Sequence, residues 1–240
     1  HNIHLPLVSL SDILHNSVAI CEEVNKLCRP LEHFTHYMQQ GYYPFGAEGF
    51  ATYNQRLANT VDLLLNIELP QLRKVDIGNI RKLKALLSVL ASEVPMLVDT
   101  AKLSTLLGIS RNTLLAYLEY LDEAKLIRRL YSDDLSVKKM QKPDKILMDN
   151  CNLLKVLALK EPNIGTLRET FFCNQLGYQH QVEYSKQGDF LIDHQITFEI
   201  GGQAKEGKQV AAVENAYIVA DDIEYSYGNK LPIWLFGLLY

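Results

Sequence analysis

The sequence predicts a multidomain protein that is helical through its first two thirds and α+β in its last third. Three observations predict it. Apolar residues recur at helical spacing from about residue 10 to 125. A helix, a tight Gly turn and a second helix are spelled out around Gly108. After about residue 144 the pattern changes to short apolar runs bounded by turn residues. With 240 residues, 48% hydrophobic and 22% charged, the composition excludes disordered, collagen-like and disulfide-framework classes. Three segments are expected: a helical segment at 1–72, a helix-turn-helix with a wing at 73–143, and an α+β domain at 144–240.

In the first segment, Ile13, Leu14, Val18, Ile20, Cys21, Val24 and Leu27 place a helix over Leu10–Leu27, with Ser11 or Asp12 at its start. Pro30 breaks it, and a shorter helix fits Leu31–Gln39 before Gly41 and Pro44. A third helical pattern runs over Tyr53–Leu65. His33 and His36 share a helix face near Cys28, but no fourth metal ligand accompanies them, and the group reads as structural. The four cysteines (Cys21, Cys28, Cys151 and Cys173) form no CxxC knuckle, so a reduced, cytoplasmic setting is expected. No apolar run approaches the ~20 residues of a membrane helix, so no membrane partner is expected. Leu231–Tyr240 reads as a buried terminal strand.

The middle segment opens with an amphipathic basic helix over Ile77–Leu90. Ile80, Leu83, Leu86, Leu87 and Leu90 face inward, and Arg81, Lys82 and Lys84 face outward. Asp99 caps a helix over Thr100–Leu107, Gly108 ends it, and Ser110 caps a helix over Arg111–Asp122. Leu103, Leu106, Leu114, Leu115, Leu118 and Leu121 are expected to share a core. Leu126–Tyr131, followed by Ser132–Asp134, suits the strand and turn of a wing, which makes this a winged helix-turn-helix. It is also the one basic segment: residues 73–145 carry 14 Lys and Arg against 9 Asp and Glu, while the flanking segments are acidic. Such asymmetry marks an anion-binding module, and duplex DNA is the expected ligand, with a protein partner or self-association as the alternative. The first turn of the second helix offers Arg111, Asn112 and Thr113 to base edges or phosphates. Arg128, Arg129, Lys138 and Lys139 would track the backbone from the wing.

In the last segment, Lys145–Met148 is a short strand and Leu167–Leu176 a helix with Leu167, Phe171, Phe172 and Leu176 on one face. Phe190–Ile192 and Ile196–Ile200 form a hairpin through Asp193–Gln195, and Ala216–Val219 is a further strand. Metal-dependent phosphodiester cleavage needs oxygen ligands converging on a divalent ion with a lysine beside them. Glu169 on the helix, and Asp189 and Glu199 on the strands, resemble the set of the PD-(D/E)XK nuclease fold, with Asp189 and Glu199 as candidate metal ligands. The residue two beyond Glu199 is Gly201 rather than the motif's lysine. Lys205 lies four further on, about 13 Å away in an extended chain, and only a fold-back at Gly201–Gly202 returns it. A degenerate nuclease-like scaffold is therefore expected, with Glu169, Asp189, Glu199 and Lys205 as its candidate catalytic residues.

Taken in order, HFTHYMQQGYYP (33–44), SVLASEVP (88–95), LLGISRNTLLAYLEYLDEAKLIRRL (106–130), KILMDN (145–150), LRETFFCNQL (167–176) and GDFLIDHQITFEIGG (188–202) resemble the C-terminal region of bacterial predicted AAA+ ATPases, as does the ending at 217–240. There a P-loop ATPase domain is followed by a winged helix and a PD-(D/E)XK-like domain of unknown function. The resemblance implies that residues 1–72 correspond to the ATPase lid. It also implies that ATP and Mg²⁺ belong to a missing N-terminal domain. The start at His1 without a Met agrees with a fragment, and no G-x-x-x-x-G-K-[S/T] loop is present to cradle phosphates. The expectation is a non-ATPase, DNA-associated regulatory or effector module that is not itself catalytic. A protein-interaction module and a metal-dependent nuclease are the alternatives.

Overall fold

The computed structural model of the chain describes residues 7–73, 77–132 and 142–239. Two compact units divide it: His1–Met38 with Phe171–Tyr240, and Gln39–Thr170. This division differs from three consecutive segments, because the first helix returns to the C-terminal part of the chain.

In the first unit, α1 (Leu10–Leu27) has the expected bounds, but its N-cap is Ser9, two residues before Ser11. Ser9 Oγ accepts from Asp12 N at 3.1 Å, and the Asp12 carboxylate accepts from Ser9 N at 2.9 Å, satisfying two orphan donors reciprocally. Ile13, Ile20, Cys21 and Val24 are buried, whereas Val18 and Leu27 face solvent. Val8 N donates to Leu238 O, Cys21 Sγ lies 3.7 Å from Ser226 Oγ, and Asn25 Nδ2 donates to Glu224 O. The helix α2 spans Pro30–Gln40.

The same unit holds a five-stranded sheet of β4 (Val182–Tyr184), β5 (Phe190–Ile192), β6 (Ile196–Gly201), β7 (Ala216–Ala220) and β8 (Lys230–Pro232), in that order. The pairs β4–β5 and β5–β6 are antiparallel, and β6–β7 and β7–β8 are parallel. Asp193 and His194 take positive φ in a two-residue turn closed by Gln195 N to Ile192 O at 3.0 Å, the left-handed geometry that suits a hairpin. Phe172, Phe190, Phe198 and Phe236 pack as an aromatic core, with ring centroids 4.8–5.5 Å apart around Phe172. The expected terminal strand stops at Pro232: residues Ile233–Leu238 wind into a 3-10 helix that buries Trp234 and Phe236.

The second unit begins with a 3-10 turn at Pro44–Glu48 and α3 (Tyr53–Leu63), which passes through a π-helical turn (Leu64–Glu68) into α4 (Leu69–Arg73). Then come α5 (Ile77–Glu93), β1 (Met96–Leu97), α6 (Thr100–Leu107), α7 (Arg111–Glu123), β2 (Ile127–Leu130), β3 (Lys145–Met148) and α8 (Cys151–Leu157). The three strands form an antiparallel sheet in the order β1–β3–β2. Residues 145–148, expected as a short strand at the start of the last segment, complete this sheet between β1 and β2. All four residues of β3 are buried, so the strand carries no alternation to read. The helix α9 (Ile164–Leu176) contributes its first turns to this unit and the remainder to the other.

The expected caps are present. Asp99 Oδ1 accepts from Lys102 N at 3.0 Å and Ser110 Oγ from Thr113 N at 3.1 Å. Gly108 sits at φ +58°, ψ +44°, which a side chain would strain. Lys82 Nζ donates to Gly108 O at 2.9 Å and so ties α5 to this turn. Leu103, Leu114, Leu118 and Leu121 are buried as expected, but Leu106 is 63% exposed and lies outside the shared core.

Candidate functional site

Two places carry the residues that the sequence singles out: the β5–β6 pair in the first unit and the α6–α7 turn in the second.

Within the sheet, the antiparallel register of β5 and β6 ends at Phe190↔Phe198, with Asp189 just before that pair and Glu199 just after it. Asp189 N donates to Phe198 O at 2.9 Å, and Asp189 Oδ2 accepts from Ile200 N at 2.7 Å, so one oxygen of this carboxylate is fixed to the strand that carries Glu199. Glu199 is only 3% exposed. The chain folds back just past it: Lys205 N donates to Gly202 O, and Lys205 Nζ reaches Glu199 Oε1 at 2.8 Å. The extended-chain separation of about 13 Å is thus replaced by an ion pair.

Gly201 makes this return feasible. It lies on the same face as Glu199, since side chains alternate along a strand. A Cβ there would stand 2.7 Å from Lys205 Cγ and 2.8 Å from its Cβ and Cδ. The lysine stem fills the space that a side chain at 201 would occupy. The other carboxylate oxygen, Glu199 Oε2, is buried with no hydrogen-bond partner among the described residues. Glu199 and Lys205 line a cavity of about 390 Å³, together with residues 204 and 206–209.

Two carboxylates with a buried open oxygen and an adjacent ammonium suit a hard divalent cation, with water in its remaining positions. Among the described residues, no group of three His, Cys, Asp or Glu side chains converges as a metal site. Glu169, the expected third acid, forms an ion pair with Lys145, which is buried on β3.

At the helix turn, Arg111 and Asn112 are exposed on the first turn of α7, while the Thr113 hydroxyl sits 2.8 Å from Ser110 Oγ in the cap. The arginines of β2 point elsewhere. Arg128 Nε lies 3.0 Å from Asp149 Oδ1, with side-chain exposures of 12% and 1%. Arg129 Nε lies 3.0 Å from Asp122 Oδ2. Both guanidinia are committed within the unit, Arg128 to one of its most buried acids. Lys138 and Lys139 lie outside the described residues. The two ends of the β2–β3 connection are held together by Asp144, whose Oδ2 accepts from Ser132 N and Oγ at 2.9 Å each.

Sequence reasoning missed the polar network around Asp149. Tyr42 OH donates to Asp149 Oδ2, Asn150 Nδ2 donates to Tyr43 OH at 3.1 Å, and Asn152 Oδ1 accepts from Tyr42 N and from Tyr53 OH. Burial pushes the Asp149 carboxyl above the ordinary carboxylate range, although Arg128 pulls it down. The only local signals were the adjacent YY and the DN pair in two separated motifs.

No helix among the described residues is long and apolar enough to cross a membrane. None of the four cysteines is in a disulfide among the described residues. No curated protein and no solved structure matches the chain. One family model matches residues 31–163, more than half of the chain and most of the second unit, under the description "Domain of unknown function (DUF8612)". The chain belongs to that family.

Proposed function

We propose that the chain is the non-ATPase, DNA-associated part of an AAA+-type ATP-binding protein, in which a winged helix is the reading element and the chain itself performs no ATP chemistry. The observation that carries this reading is the order α5–β1–α6–turn–α7–β2–β3 with the sheet order β1–β3–β2, the connectivity expected of a winged helix. In helix-turn-helix proteins the first turn of the second helix enters the major groove. Arg111 and Asn112 stand there exposed, and these two side-chain types make bidentate contacts with guanine and adenine respectively. With Arg128 and Arg129 paired internally, the interface centres on the start of α7. The test is fluorescence anisotropy on a duplex across a salt series. The slope of log affinity against log salt should be about −0.9 per phosphate contact, and Arg111→Ala with Asn112→Ala should weaken binding about tenfold or more. A salt-independent affinity, or one unchanged in the double variant, sinks the reading. Stoichiometric micromolar ATP binding to the chain would remove its non-ATPase part.

A second reading, metal-dependent phosphodiester cleavage in the first unit, is favoured by the return of Lys205 to Glu199. Asp189 and Glu199 would hold the ion, which would supply positive charge for a reacting phosphate, and Lys205 would hold the attacking water. Cutting of plasmid or oligonucleotide with Mg²⁺ or Mn²⁺, lost in both Asp189→Ala and Lys205→Ala, supports it. Failure to cut with either metal disposes of it.

A further inference from the structure

We propose that the first unit contains a binding pocket for a small apolar ring, walled by Phe34, Tyr37, Phe171 and Trp234. The walls come from α2, α9 and the terminal 3-10 helix, and the pocket encloses about 190 Å³. An apolar protein cavity of about 150 Å³ is enough to take up benzene. Phe171 is the hub: Phe34 meets it edge-on with centroids 4.8 Å apart at 78°, and Tyr37 does so at 5.9 Å and 82°. A guest ring entering beside them finds edges and faces at right angles, the arrangement aromatic groups prefer.

The polar tips of the wall are already engaged. Trp234 Nε1 donates to Ile223 O at 3.2 Å, and Tyr37 OH accepts from Gln175 Nε2 at 3.1 Å. The wall therefore offers mostly carbon surface, with His33 the other polar side chain on the lining, and a ligand that needed many hydrogen bonds would lose most of them on entry. Gly237 keeps the space open: a Cβ there would meet Phe171 Cζ at 3.6 Å, ordinary contact, so a longer side chain would extend into the pocket. Cys28, partly exposed, stands on the lining, and burial raises its thiol above the ordinary value, leaving a neutral sulfur that packs as a small apolar group.

Two reporters are built in. Trp234 is the chain's single tryptophan. Cys28 is the one partly exposed cysteine, the other three being buried. The experiment titrates the intact chain with toluene, benzyl alcohol and cyclohexanol, reading tryptophan fluorescence and the rate at which a maleimide labels Cys28. The expected result is a saturable fluorescence change with a dissociation constant on the order of 0.1–1 mM, as for other ring-sized ligands. Cys28 labelling should slow at least about threefold at saturation, following mass action. Gly237→Leu should abolish both effects, and Cys28→Phe, filling the pocket from the other side, should abolish the fluorescence change. The proposal is overturned if none of the three probes gives a saturable change, or if the change persists in either filled variant that retains the native circular dichroism.

Discussion

Replacing Arg128 by alanine tests whether this side chain serves the interior or the surface. Its guanidinium lies 3.0 Å from Asp149, which is 1% exposed. Removing one partner of a buried ion pair costs about 3–5 kcal/mol, because the remaining charge is left uncompensated. Tyr42 OH and Asn150 Nδ2 still donate to Asp149 Oδ2, so the lower end of that range, about 3 kcal/mol, is expected. With a urea slope of about 1–3 kcal/mol/M, the midpoint of a far-UV circular dichroism melt should fall by roughly 1–3 M. The double variant Arg128→Ala, Asp149→Asn should recover most of the loss. The effect should depend on pH. Burial holds the Asp149 carboxyl above its unfolded value even beside Arg128, so its contribution to stability is present below the unfolded value and is lost as pH rises through the folded one. Removing Arg128 raises the folded value further, so the deficit should be smallest in acid, where Asp149 is protonated in both states, and should grow as pH rises. A neutral-pH loss below about 0.5 kcal/mol would refute the reasoning and return Arg128 to the exposed surface.

Three further outcomes follow from the geometry. Gly108→Val should lower stability by about 1–2 kcal/mol in chemical denaturation, since residue 108 holds φ +58° and a β-branched side chain is poorly tolerated there. Tyr53→Phe should cost about 1–2 kcal/mol in the same assay, because the buried Asn152 Oδ1 loses the phenol hydrogen bond. The Asp12 carboxyl is held below its ordinary value by its hydrogen bonds to Ser9, so the start of α1 is stabilised above the unfolded value and loosens as pH falls through the folded one. Amide-exchange protection at Ile13 and Leu14, taken relative to the intrinsic rate at each pH, should fall in acid in the native chain and should already be lowered at neutral pH in Ser9→Ala, which loses the Ser9 hydroxyl bonds.

The elements with strong local grammar were readable in advance. The capped helices around Gly108 and the β5–β6 hairpin declare themselves by cap residues, a glycine and alternating apolar runs. Elements defined only by a distant partner were not readable. The two-residue β1 exists because Met96 and Leu97 pair with Ile146 and Lys145, about fifty residues away. Nothing in KILM announces that it joins β2, with Arg128 opposite Leu147. The candidate sites divide the same way. Asp189 and Glu199 were placed by strand pattern, but the return of Lys205 depends on where β6 ends. The internal pairing of Arg128 depends on a buried acid about twenty residues downstream. The aromatic pocket draws on residues 34, 37, 171 and 234, which no window of sequence unites.

The hydrogen bonds between Tyr42, Tyr43 and Tyr53 and the Asp149–Asn152 stretch bear on how the molecule can be dissected. A recombinant piece trimmed to residues 73–143 would leave out β3 and the tyrosines together. It would expose the core face of α5 and strip β2 of its sheet neighbour. Such a piece should aggregate rather than report on DNA, whereas the unit from Gln39 to Thr170 keeps β3 and the three tyrosines together.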